Sequence, residues 1–87
     1  MHARYEIDGR LDVASYLAFV LERARWLGIV GSARAVGGNR IAVEAGGPEA
    51  MVGAFEMALT LGPLSALVTD IVVTPLATPW PEDFTLA

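Results

Sequence analysis

Polar and apolar residues alternate over Arg4–Asp8, with Tyr5 and Ile7 set against Glu6 and Asp8. This is the pattern of a strand buried on one face. Gly9 ends it, and from Val13 the period becomes helical. Tyr16, Val20, Ala24 and Leu27 fall at i, i+4, i+8 and i+11, Leu17, Phe19 and Leu21 broaden the stripe, and Glu22, Arg23 and Arg25 take the wet side. The spacing predicts a helix over about Val13–Leu27, capped at its start by Ser15 or Asp12 and closed by Gly28. Its apolar face is too wide for Leu17, Leu21 and Trp26 all to lie beneath it.

The pattern then returns to period two. Ile29–Val36 and Arg40–Ala45 read as the two strands of a hairpin around Gly37-Gly38-Asn39. Pro48 and Glu49 favour a helix first turn, and a second helix is predicted over about Pro48–Leu61. Its inward residues are Met51 or Val52, then Phe55, then Ala58 or Leu59. Gly62-Pro63 stops it. Val68–Thr74 is a strand rich in β-branched residues, Pro75–Pro81 is a proline-spaced extended segment, and Glu82–Leu86 makes a short last strand. Two βαβ units with right-handed crossovers follow from this order. The expected fold is α+β, a ferredoxin-like βαββαβ sandwich. It has an antiparallel sheet, two helices on one face and a short C-terminal strand, all in one domain over residues 1–87.

Composition narrows the function. A chain of 87 residues that is 54% hydrophobic is long enough for one core and too apolar to be disordered. Its net charge of -4, with all six basic residues arginines scattered along the chain, leaves no basic stripe for a nucleic acid. Without cysteine there is no disulfide or thiolate metal site, and the one histidine, His2, is expected to be solvent-exposed, so no metal or cofactor is expected. The longest uncharged run, Met57–Thr69, is 13 residues and broken by Gly62-Pro63, too short for a bilayer. No apolar leader follows Met1, and a cytoplasmic location is the expectation.

The candidate chemistry lies at Gly9-Arg10-Leu11-Asp12-Val13-Ala14-Ser15-Tyr16-Leu17. A strand passing into a helix there would aim backbone N–H groups and the positive end of a helix dipole at one spot, an anion site over Arg10, Leu11, Asp12, Val13, Ala14, Ser15 and Tyr16. The other notable residues carry no site. Trp26 and Trp80 read as packing or partial-surface residues, Met51 and Met57 as core or core-edge fillers. The pairs Asp8 with Asp12 and Glu82 with Asp83 read as solvated carboxylates.

The stretch Gly9–Leu17 resembles the acylphosphatase signature G-[RK]-V-Q-G-V-x-F-R. Gly9, Arg10 and Tyr16 fit it and Leu11 is a fair substitute. Val13 stands at the internal glycine and Leu17 at the closing arginine. The similarity continues along the chain without a gap from Gly9 to Gly62. Phe19, Ala24 and Leu27-Gly28-Ile29 match the first helix and its exit. Gly31 and Arg34 match G-[WT]-V-[RK]-N, and Arg40, Ile41 and Val43 match the strand after the hairpin. Gly47-Pro48-Glu49, Phe55 and Gly62-Pro63 match the second helix and its end, and Val68, Ile71 and Phe84 match the last strands.

The resemblance implies a site in which an arginine and the loop N–H groups hold the phosphoryl group of an acyl phosphate and an asparagine orients the attacking water. It places Leu17 at the arginine and Ala35 at the asparagine, and neither side chain donates a hydrogen bond. Phosphoryl transfer rests on positioning and charge stabilisation, so the implied consequence is a degenerate site without catalysis. Val13 tolerates positive φ badly, and a reshaped loop is expected. Arg10 or Arg34 would have to stand in for the arginine in a weak or relocated acylphosphatase, the alternative. The two replacements also leave an apolar patch with Val13 and Leu17 at its rim. That predicts self-association or a protein partner through this face, with the edge strand near the hairpin as the competing surface.

Overall fold

The computed structural model describes residues 1–64, 66–77 and 82–87. In chain order the elements are β1 (His2–Arg10), α1 (Val13–Leu27), β2 (Val30–Gly37), β3 (Arg40–Gly46), α2 (Glu49–Leu61), β4 (Leu67–Pro75) and β5 (Phe84–Leu86). The strands form one sheet in the order β4-β1-β3-β2-β5. The first four pair antiparallel, as expected. The tail strand does not continue that pattern: β5 runs parallel to β2, with Phe84 opposite Gly31, so the sheet is mixed. The Gly31 N–H donates to the Asp83 carbonyl at 2.9 Å, and the Ala87 N–H donates to the Ala33 carbonyl at 2.9 Å, clamping β5 at both ends.

The alternation in β1 sends Ala3, Tyr5 and Ile7 into the core. They meet Ile41, Val43 and Ala45 of β3, Tyr16, Val20 and Ala24 of α1, and Val52, Phe55 and Leu59 of α2. For α2 the open choices resolve to Val52 and Leu59. Phe55 and Phe84 pack edge to face, with ring centres 5.9 Å apart, which fastens α2 to the short tail strand.

Glycines end both helices. Gly28 is left-handed (φ 69), its N–H donates to the Arg25 carbonyl, and the Ile29 N–H donates to the Ala24 carbonyl at 2.8 Å. These are the two bonds of a Schellman ending. Gly62 (φ 66) closes α2 through its N–H to the Ala58 carbonyl.

His2 is not exposed as the sequence suggested. It is 6% accessible because β1 starts two residues earlier than its alternation shows, pairing His2 with Gly46. The Leu76 N–H donates to the His2 carbonyl at 2.8 Å from the other side. Most of the proline-spaced segment, with Trp80, lies outside the described residues.

Candidate functional site

The stretch expected to form an anion loop is almost entirely regular structure. β1 runs through Arg10 and α1 starts at Val13, so only Leu11 and Asp12 lie between them. After a bulge between Asp8 and Gly9, Gly9 pairs with Val68 and Arg10 with Leu67. A Cβ at residue 9 would collide with the Leu67 carbonyl oxygen, so glycine is what lets β1 and β4 approach there. Leu11 is buried.

Asp12 holds the N-cap position in extended conformation, and its carbonyl accepts the Tyr16 N–H at 2.8 Å. Neither of the expected side-chain caps is made. The Asp12 carboxylate instead accepts the Ser15 hydroxyl at 3.0 Å. The first-turn amides of α1 therefore have no side-chain cap, and a carboxylate stands beside them where it would repel an anion. Val13 opens the helix in an ordinary conformation, and among the described residues only glycines have positive φ.

Leu17, one turn beyond Val13, is half-buried and packs against the core, as does Val13. Ala35 pairs with Ile41 near the end of β2. The alternation from Gly31 and Ala33 puts it on the helix-facing side of the sheet, beyond the cover of the core, where it is exposed. Leu17 and Ala35 thus lie on the same side of the sheet, and both are hydrocarbon. Arg34 falls on the opposite side, beside Ala42, with the sheet between it and Leu17.

Arg10 is exposed, without a carboxylate partner among the described residues. It lines an open groove of about 460 Å³ with Asp8, Val36, Asn39, Arg40 and Thr69, where β1 ends and the β2–β3 hairpin turns. That volume lies within the range of small-molecule sites. Within it Asp8 accepts a hydrogen bond from the Arg40 Nε at 2.8 Å, which raises the Arg40 guanidinium further above its ordinary value. The Thr69 hydroxyl donates to the Asp8 carbonyl at 3.2 Å. Asn39, Arg40 and Thr69 are not among the site residues the sequence suggests. The only signal for them was cross-strand register, which pairs Asp8 with Arg40 and with Asp70.

Both tyrosines are buried. The Tyr16 hydroxyl donates to the Leu59 carbonyl at 2.6 Å, and burial pushes its ionisation well up. The Tyr5 hydroxyl has no partner in strict hydrogen-bond geometry; burial first, and the nearby Glu56 carboxylate second, push it up to about 12.

Of the residues read as fillers, Met57 is 67% exposed and Met51 also faces outward, because α2 turns Val52, Phe55 and Leu59 inward instead. Trp26 is 73% exposed, with Arg23 stacked over its ring. Asp8 and Asp12 do not meet, each being bonded elsewhere. No cluster of metal-ligating side chains occurs among the described residues. No helix among them is long and apolar enough to cross a membrane.

Comparison with known proteins agrees with this architecture. The acylphosphatase family model matches residues 3–86. An acylphosphatase of Xanthomonas oryzae pv. oryzae is 40% identical over 82 residues, covering 94% of this chain and 93% of that protein. The crystal structure of the Bacillus subtilis acylphosphatase superposes with a TM-score of 0.90 at 26% identity, over 99% of this chain and 97% of that one. The Coxiella burnetii acylphosphatase superposes with a TM-score of 0.92 at 16% identity, over 99% and 90%, which supports the fold alone. Matched over nearly its whole length in sequence and in fold, the chain belongs to the acylphosphatase family.

Proposed function

We propose that this protein is an acylphosphatase-fold module that does not hydrolyse acyl phosphates, and that it works in the cytoplasm as a binding or structural unit. The observation that carries this reading is the chemistry at two positions. Where the signature implies a phosphate-gripping arginine and a water-orienting asparagine, the chain has the half-buried Leu17 and the methyl of Ala35. Removing a single oxyanion-type donor costs roughly 10²–10³ in rate, and both side-chain elements are replaced here. The Asp12 carboxylate at the start of α1 adds repulsion toward an incoming phosphate. On this reading a protein partner or a second copy is taken through the Val13/Leu17 face, and Leu17→Asp should abolish that association.

The second reading, a weak or relocated acylphosphatase, is favoured by the 40% identity to a relative that carries that name and by the unpaired Arg10 in its groove. Arg34 is a poor substitute, being on the far side of the sheet. Inorganic phosphate titrated against the backbone amide resonances separates the readings. The proposal expects no saturable shift over Leu11–Leu17 at millimolar phosphate. Saturable shifts there or around Asn39, lost in Arg10→Ala, would favour the relocated site.

A further inference from the structure

We propose that the cleft between α1 and α2, on the side of the helix layer away from the sheet, binds an unbranched aliphatic carboxylate with its head group on Arg23. The chain's other five arginines are readily distinguished from Arg23. Arg4 and Arg40 have carboxylates within ion-pair distance, and Arg10 and Arg34 are exposed. Arg25 is exposed as well. Arg23 is half-buried, and its guanidinium has no hydrogen-bond or ion-pair partner among the described residues. Its Nε is fully shielded and unbonded. The guanidinium carbon lies 5.3 Å from the centre of the Phe19 ring and 4.9 Å from that of Trp26. The rings hold its planar fork in place on the helix, which lowers the ordering cost of a bound anion.

Beside this cation runs a cleft of about 380 Å³, lined by Phe19, Arg23, Ala54, Met57, Ala58 and Leu61. The lining follows helical spacing. Ala54 and Ala58 stand one turn apart, as do Met57 and Leu61 on α2 and Phe19 and Arg23 on α1. Two alanines make a shallow floor and the longer side chains make walls. From Ala54 to Leu61 the trough is about 10 Å long at the helical rise per residue. Tyr16 lies against Gly62 and bonds Leu59, so the start of α1 faces the end of α2. Arg23, two turns along α1, then falls at the Ala54 end, and the Leu61 end is apolar. Met57 and Leu61 are 67% and 75% exposed, an arrangement a covering hydrocarbon chain would relieve.

Charge complementarity selects the occupant. A half-buried, unpaired guanidinium at one end of an apolar trough matches a carboxylate with a hydrocarbon tail. A neutral alcohol leaves the cation unpaired. The cleft is separate from the Leu17 and Ala35 positions, so the proposal stands whether or not acyl phosphates are hydrolysed.

The test is a titration of the intact protein with octanoate at neutral pH, followed by amide and methyl resonances, with 1-octanol as the uncharged control. Saturable shifts at Phe19, Arg23, Ala54 and Ala58 are expected, with affinity about tenfold weaker in Arg23→Gln and for octanol. Ala58→Phe, which fills the trough, should remove binding. Should that variant not fold, the comparison of the wild type with Arg23→Gln decides alone. Shifts that do not saturate, shifts confined to the β1–α1 junction, or equal affinities for Arg23→Gln and the wild type would each overturn the proposal. So would a concentration-dependent dimer in sedimentation that Leu61→Asp abolishes, since a second copy would then cover the cleft.

Discussion

The Tyr16 hydroxyl donates a 2.6 Å hydrogen bond to the Leu59 carbonyl, joining the first turn of α1 to the last turn of α2. The last four carbonyls of a helix have no partner within the helix, and Leu59 supplies one of them. The bond is buried, so losing it leaves an unpaired carbonyl in the core. Tyr16→Phe should lower stability by about 1–2 kcal/mol, read as a lower urea midpoint with an unchanged slope. An unmoved midpoint would show that water reaches Leu59.

Alkaline pH should unfold the protein through its tyrosines. The Tyr5 hydroxyl is raised from 10.0 to about 12 and Tyr16 is raised further by burial. A raised acid binds its proton more tightly in the folded state than in the unfolded one. Its contribution is therefore fully present below pH 10 and is lost as pH climbs from about 10 to 12. Phenolate absorbance should appear together with loss of structure, since both tyrosines are buried. Phenolate formation while the fold stays intact would contradict this. Tyr5→Phe should move the onset upward at little cost near neutrality, because that hydroxyl has no strict hydrogen-bond partner.

Two glycines of the β2–β3 hairpin, one in a strand and one in the turn, should respond differently to a methyl group. Gly31 has φ 139, and a Cβ there would run into the Glu44 carbonyl, while Gly38 has φ 56 and open space around it. Gly38→Ala carries only the left-handed conformational cost, about 1 kcal/mol. Gly31→Ala adds a clash with the β3 backbone near the start of β2 and should cost at least about 2 kcal/mol. Thermal unfolding of the two variants side by side checks the order.

How much of this was legible in the sequence depended on how local each signal was. The limits of α1 match its expected limits at both ends, because Gly28 and the polar-to-apolar change at Val13 are local signals. The parallel pairing of β5 was not legible, since three residues carry no direction and their partners in β2, Gly31 to Ala33 against Phe84 to Leu86, are 53 residues away. The inward face of α2 stayed open between Met51 and Val52 because the helix is apolar on nearly every side. The packed core settles it: Val52 is fully buried and Met51 is exposed. At the candidate site, the motif located Leu17 and Ala35. It did not show that β1 and α1 nearly abut, because that follows from the pairing of Gly9 and Arg10 with β4.

The most direct measurement is the rate of acyl phosphate hydrolysis by the wild type beside the variant Leu17→Arg, Ala35→Asn. The account predicts a wild type no faster than buffer. The double variant should recover weak phosphate binding and at most slow turnover, since a site misplaced by about 1 Å loses ~10² in rate. Adding Val13→Gly should improve binding by freeing the amides at the start of α1, at a helix cost of up to about 1 kcal/mol. Wild-type turnover at the rate of an ordinary acylphosphatase, or a folded triple variant that binds no phosphate at all, would contradict the account.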